Sequence, residues 1–161
     1  CGGRSNKAIA KEELDALMKS EHGGTTEVSI KTGLSLVRLH AGLYENGAPT
    51  NNIINIKQPW ETRVHFGLTG PLKEMICGKW CLHVDFESIG TGPEFRLKHP
   101  EFYFDCNTCE WCVTIPGYDL DPSYCGTVFN VTVVLQAVSH CGRPLPIVGF
   151  VKLGQVLFFE A

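Results

Sequence analysis

Hydrophobic and polar residues alternate with a period of two along most of the chain, and with a helical period only near its start. Residues 4–22 predict a helix. Ile9, Leu14, Leu17 and Met18 fall on one face, and Lys11, Glu12, Glu13, Asp15 and Lys19 cover the rest. Ser5 or Asn6 is placed to cap it, and Gly23-Gly24 ends it.

From residue 26 the period is that of a strand. Val28 and Ile30 start one, and Ser35 to Leu43 predicts another, with Val37, Leu39, Ala41 and Leu43 on one side. Asn46-Gly47 and Pro49 to Asn52 are turn signals, followed by a short strand at 53–57. Two strands led by tryptophan are the clearest. In Trp60 to Thr69, Trp60, Val64, Phe66 and Leu68 oppose Glu61, Arg63, His65 and Thr69. In Trp80 to Glu87, Trp80, Leu82, Val84 and Phe86 oppose His83, Asp85 and Glu87. Further strands are predicted around Phe102 and Phe104, over Trp111 to Ile115, over Phe129 to Ala137, and once or twice within Ile147 to Phe159. Residues 89–93 and 116–126 are read as loops, Pro144 and Pro146 as breaks, and Gly149 and Gly154 as bulges or bends.

This amounts to about seven to nine short strands with turns between them and no room for regular strand–helix–strand units. The expected fold is all-β, an antiparallel β-sandwich with a β-barrel as the alternative, carrying a short N-terminal amphipathic helix. Residues 1–25 are assigned to a tether and helix packed on the domain, and 26–161 to the sandwich.

Composition narrows the function classes. At 161 residues the chain forms one domain, and 43% hydrophobic content sets it apart from disordered chains. A net charge of −3 argues against broad binding of a nucleic-acid backbone. No apolar run approaches the roughly 18 residues of a membrane helix. The first residue, Cys1, is read as a boundary or processing product, ahead of a lipid-bearing terminus or an N-terminal nucleophile. Asn130-Val131-Thr132 matches the glycosylation pattern, which chance alone also produces.

Four groups of residues can carry chemistry. Cys106, Cys109 and Cys112 form a double C-x2-C, a spacing that can hold zinc or an iron–sulfur cluster if Cys77, Cys81, His83 or His99 completes the ligands. Core thiols or structural disulfides are the preferred reading, ahead of a redox pair Cys109-Cys112. Cys125 and Cys141 lie at opposite ends of one strand and are not expected to bridge. The second group is a polar sheet face of His65, His83, Asp85 and Glu87, able to move protons if the two tryptophan-led strands pair. A solvated face gives the same pattern and is preferred. The third is the loop end: Glu94, Tyr118, Asp119, Asp121 and Tyr124 are the candidate binding residues. The fourth is a calcium site built from Asp119 and Asp121 with Asp105 or Glu94, for which the oxygens are too scattered. The G-x-G at Gly90 and Gly92 lacks the helix a nucleotide cradle needs.

The leading expectation is a non-enzymatic module that binds a protein, lipid or carbohydrate through the loops at 87–94 and 116–126, with no required cofactor. An enzyme using the histidine–acid face or a cysteine nucleophile is the second. A subunit of an assembly, including a homo-oligomer, is the third. The enzyme reading requires His65 and His83 in one concave pocket within reach of an acid.

Overall fold

The computed structural model describes residues 24–30, 34–71, 77–104 and 110–161. The helix expected over 4–22, and with it the tether, falls outside these residues, as do Asp105, Cys106 and Cys109. The described chain is almost entirely strand: β1 (Gly24–Ile30), β2 (Leu34–Glu45), β3 (Ala48–Pro49), β4 (Ile53–Asn55), β5 (Trp60–Thr69), β6 (Lys79–Ser88), β7 (Glu94–Lys98), β8 (Phe102–Tyr103), β9 (Glu110–Pro116), β10 (Val128–Val138) and β11 (Pro144–Phe159). A 3-10 turn covers Pro122–Tyr124.

The strands form two sheets, one of which curls into half a barrel. The first runs β1-β2-β5-β9, with β3 also paired to β2. The second runs β4-β11-β10-β6-β7, with β8 also paired to β6. All pairings are antiparallel except β4 with β11, which is parallel. The inward residues of both sheets share one core. Trp80, Phe66, Phe86, Phe129 and Phe158 are its largest fully buried side chains.

Because β5 and β6 run through the core in different sheets, their aromatic residues sort into two clusters. Phe66 packs on Trp80 (5.1 Å between ring centroids) and stacks on Trp111 (5.2 Å). In the other cluster Trp60 meets Phe86 (5.8 Å) and Phe158 (5.3 Å), and Phe95 stacks on Phe86 at 4.3 Å. Truncating any of the fully buried rings, Phe66, Trp80, Phe86 or Phe158, removes transfer energy and leaves a hole, a cost of about 3–5 kcal/mol.

Several local features differ from the simple alternation. In β2 both Leu36 and Leu39 reach the core, an odd spacing that a regular strand forbids. A bulge between Val37 and His40 explains it, with Arg38 at φ 52° taking the extra residue. The stretch from Ile147 is one strand that starts earlier, at Pro144, so the two prolines do not break it. There the Gln136 amide donates to the carbonyls of Leu145 (2.8 Å) and Ile147 (3.3 Å), bridging an irregular stretch of the β10–β11 ladder. Gly154, at φ 87°, sits at a register shift, as a bulge glycine should. Gly149 is not a bend. A Cβ there would lie 2.5 Å from Leu36 Cδ2, so it is a point of close contact between the sheets. Strand β7 was not expected: Phe95 and Leu97 alternate inward over too short a run to stand out from the preceding loop.

Candidate functional site

A groove of about 580 Å3 lies at the end of the molecule that holds Trp60. Three short segments build it. The β2–β3 turn contributes Asn46 and Gly47, the link between β4 and β5 contributes 56–59, and the exit from β9 contributes 116–119. Each is fixed by its own chemistry. Asn46 (φ 51°) and Gly47 (φ 79°) both take the left-handed conformation that a tight hairpin turn demands. The Asn46 amide nitrogen donates to the Pro59 carbonyl at 2.8 Å, tying the turn to the second segment. The Gly117 amide donates to the Trp60 carbonyl at 2.8 Å, tying in the third. Gly117 lies flat on the indole of Trp60: a Cβ would come within 2.2 Å of Cε2. Any larger residue there would drive the ring out of the groove floor.

The groove is electrically quiet apart from one group. Lys57 pairs with Glu160 at 3.1 Å, and Glu61 accepts from Arg63 Nε at 2.6 Å. The Arg63 guanidinium also lies over the Tyr44 ring, 4.1 Å from its centroid. Asn46 Nδ2 donates to Gln58 Oε1 at 3.2 Å. Asp119 has no hydrogen-bond or ion-pair partner among the described residues. Tyr118 is 46% exposed, held from behind by an edge contact with Phe95 at 5.8 Å. Burial and the nearby Tyr124 raise its hydroxyl above the usual tyrosine range.

Two of the five expected loop residues, Tyr118 and Asp119, therefore line the groove, and three do not. Asp121 is occupied by its own turn: its carboxylate accepts from the Ser123 amide at 2.8 Å, which lowers its affinity for a proton. Tyr124 is packed on Phe95 (5.4 Å) and Phe129 (6.1 Å) and supports the core. Glu94 stands opposite Glu87 on β7 and lines a smaller hollow with Asp85 and Arg96. Asn46, Gln58 and Gly117 were not foreseen as site residues. Asn46-Gly47 signals a turn, but no sequence pattern joins it to a segment about seventy positions later.

The polar-face group is divided. β5 and β6 do not pair, so His65 belongs to the first sheet and His83, Asp85 and Glu87 to the second. The shared pocket that the enzyme reading requires is not formed. On the second sheet Asp85 takes both Nε and Nη2 of Arg96, the latter at 2.9 Å, and approaches His83 Nε2 at 3.5 Å. His65 is 1% exposed, contrary to its expected place on a solvated face. It stands between His40 and Cys112 on the neighbouring strands, with Glu110 3.9 Å from Nε2 and no partner for Nδ1. Burial lowers the proton affinity of both histidines, partly offset by Glu110 at His65 and by Asp85 at His83.

Of the C-x2-C run, Cys112 is described and partly buried on β9. Cys77, Cys81, Cys125 and Cys141 form no bridge with one another. Among the described residues no group of three His, Cys, Asp or Glu side chains is arranged to hold a metal, and no helix is long and apolar enough to cross a membrane. No protein-family model matches the chain, and comparison with curated proteins gives no match.

Proposed function

We propose that the protein is a non-enzymatic binding module, a β-sandwich that takes its ligand in the groove at the Trp60 end. One observation carries this reading: the groove joins an exposed aromatic ring, Tyr118, to an uncompensated carboxylate, Asp119, over a rigid floor of Trp60 and Gly117. Concave sites with a few fixed polar groups on packed supports are where small ligands and peptide segments bind. The separation of His65 from His83 weighs against the histidine–acid enzyme.

A fragment screen read by amide chemical shifts tests the reading. Binding fragments are expected to move the signals of 46–47, 57–61 and 117–119 together. Shifts centred on His83, Asp85 and Glu87 would instead transfer the function to the second sheet.

An assembly role has its own support. Val148 (43% exposed) and Phe150 (52% exposed) lie on the outer face of the second sheet. Phe150→Asp should turn an oligomer into a monomer on size exclusion if that face joins copies, and leave the elution unchanged if it does not.

A further inference from the structure

We infer that the groove at the Trp60 end accepts a hydroxyl-rich, uncharged ligand, that is, a neutral sugar of one or a few rings. The inference rests on the groove being the binding site. Its volume, about 580 Å3, suits a small molecule or a short oligosaccharide.

Charge decides against anionic ligands. The lysine at the rim is already paired with Glu160, and the arginine behind the groove is paired with Glu61 and stacked on Tyr44. A phosphate or carboxylate would meet no spare cation among the described lining residues and would face Asp119. A guanidinium or ammonium ligand could use Asp119 and Tyr118, but it has only donors and would leave the Gln58 donor unmatched.

The fixed amides favour hydroxyls. The bond from Asn46 Nδ2 to Gln58 Oε1 sets both side chains and leaves Asn46 Oδ1 as an acceptor and Gln58 Nε2 as a donor. A hydroxyl both donates and accepts, so adjacent hydroxyls on a ring satisfy these two atoms together. Asp119 can accept from a third. Tyr118, Pro59 and Pro116 supply apolar surface for the C–H side of a sugar ring. Because the turn and the Gly117–Trp60 contact hold these groups in advance, little ordering is needed on binding.

The test uses the full chain against an array of neutral, acidic and sulfated oligosaccharides together with an arginine-rich peptide, followed by shift mapping with the strongest binder. A neutral oligosaccharide is expected to bind and to move Gly117 and the Gln58 side-chain amide. Tyr118→Ala should weaken it about tenfold or more, and Gln58→Ala by about threefold to tenfold. Asp119→Asn, which keeps an acceptor, should change it by less than about threefold. Each variant is checked for the dispersed amide spectrum of the parent. If only acidic glycans or the peptide bind and the shifts still map to the groove, the ligand class is overturned and the groove stands. If a neutral sugar binds and the shifts map elsewhere, both readings fall. If no member of the array binds, the neutral-sugar assignment fails.

Discussion

The outer faces of β5 and β6 begin from similar sequence and end in different surroundings. Both strands carry a tryptophan at or next to their start, alternate apolar and polar residues, and carry a histidine facing away from the core. Yet the His65 side chain is 2% exposed, while the His83 side chain keeps 21%. The difference lies in the neighbours. β5 runs between a bulged strand, β2, and β9, and the Arg38–Glu110 pair (2.6 Å) stands beside its histidine. β6 has regular partners on both sides, and its acid is engaged by a single arginine at the sheet edge. Alternation fixes which way a side chain points. It does not decide whether that face is then covered.

On their inner faces the two strands should behave alike. Phe66→Ala and Phe86→Ala are each expected to lower the unfolding free energy by about 3–5 kcal/mol, measured by chemical denaturation. A loss under about 1 kcal/mol at either position would mean that its aromatic cluster is not part of a close-packed core.

The outer faces should separate with pH. Both histidines bind protons less readily in the folded chain than in the unfolded chain, because burial disfavours the imidazolium. The unfolded state therefore takes up protons first as the pH falls. Stability from these groups is complete above about pH 6.5 and declines as the pH drops toward their folded values. His65→Leu should flatten the decline between about pH 7 and 5 more than His83→Leu does, in melts at a series of pH values. Equal effects, or a larger one from His83, would mean that the two outer faces are equally covered.

The smallest effects belong to the ion pairs. Arg96→Ala, at the exposed edge of the second sheet, should cost about 0–1 kcal/mol and lose that effect in high salt. Arg38→Ala should cost as little in the pair itself. It should also shift the His65 titration, followed by its ring proton resonances, since Glu110 would lose its competing partner and favour the imidazolium more strongly.

Most strands were legible because half-buried strands write their period into the sequence. β5 has the predicted ends, Trp60 and Thr69, and β6 differs from the prediction by a residue at each end. What was not legible involved a second chain segment. The bulge at Arg38 has no glycine to announce it, and β7 is short and follows a glycine-rich loop. The placing of β5 and β6 in separate sheets depends on pairing choices that local alternation leaves open, and it divided the histidine–acid group. For the groove, Tyr118 and Asp119 were legible as exposed loop residues. Asn46, Gln58 and Gly117 were not, because their role comes from three turns meeting at one end of the fold.

The parallel pairing of β4 with the end of β11 bears on how the molecule reaches this form. Ile53 to Asn55 find their partners at Leu157 to Phe159, far along the chain, and Asn52 donates to the Leu153 carbonyl across the same gap. Contacts so distant in sequence demand costly loop closure before any reward arrives, which slows the search. Until β11 is in place, β10 lacks one neighbour and β4 has none. A second sheet without β11 would present unpaired strand edges, the feature most prone to joining another chain.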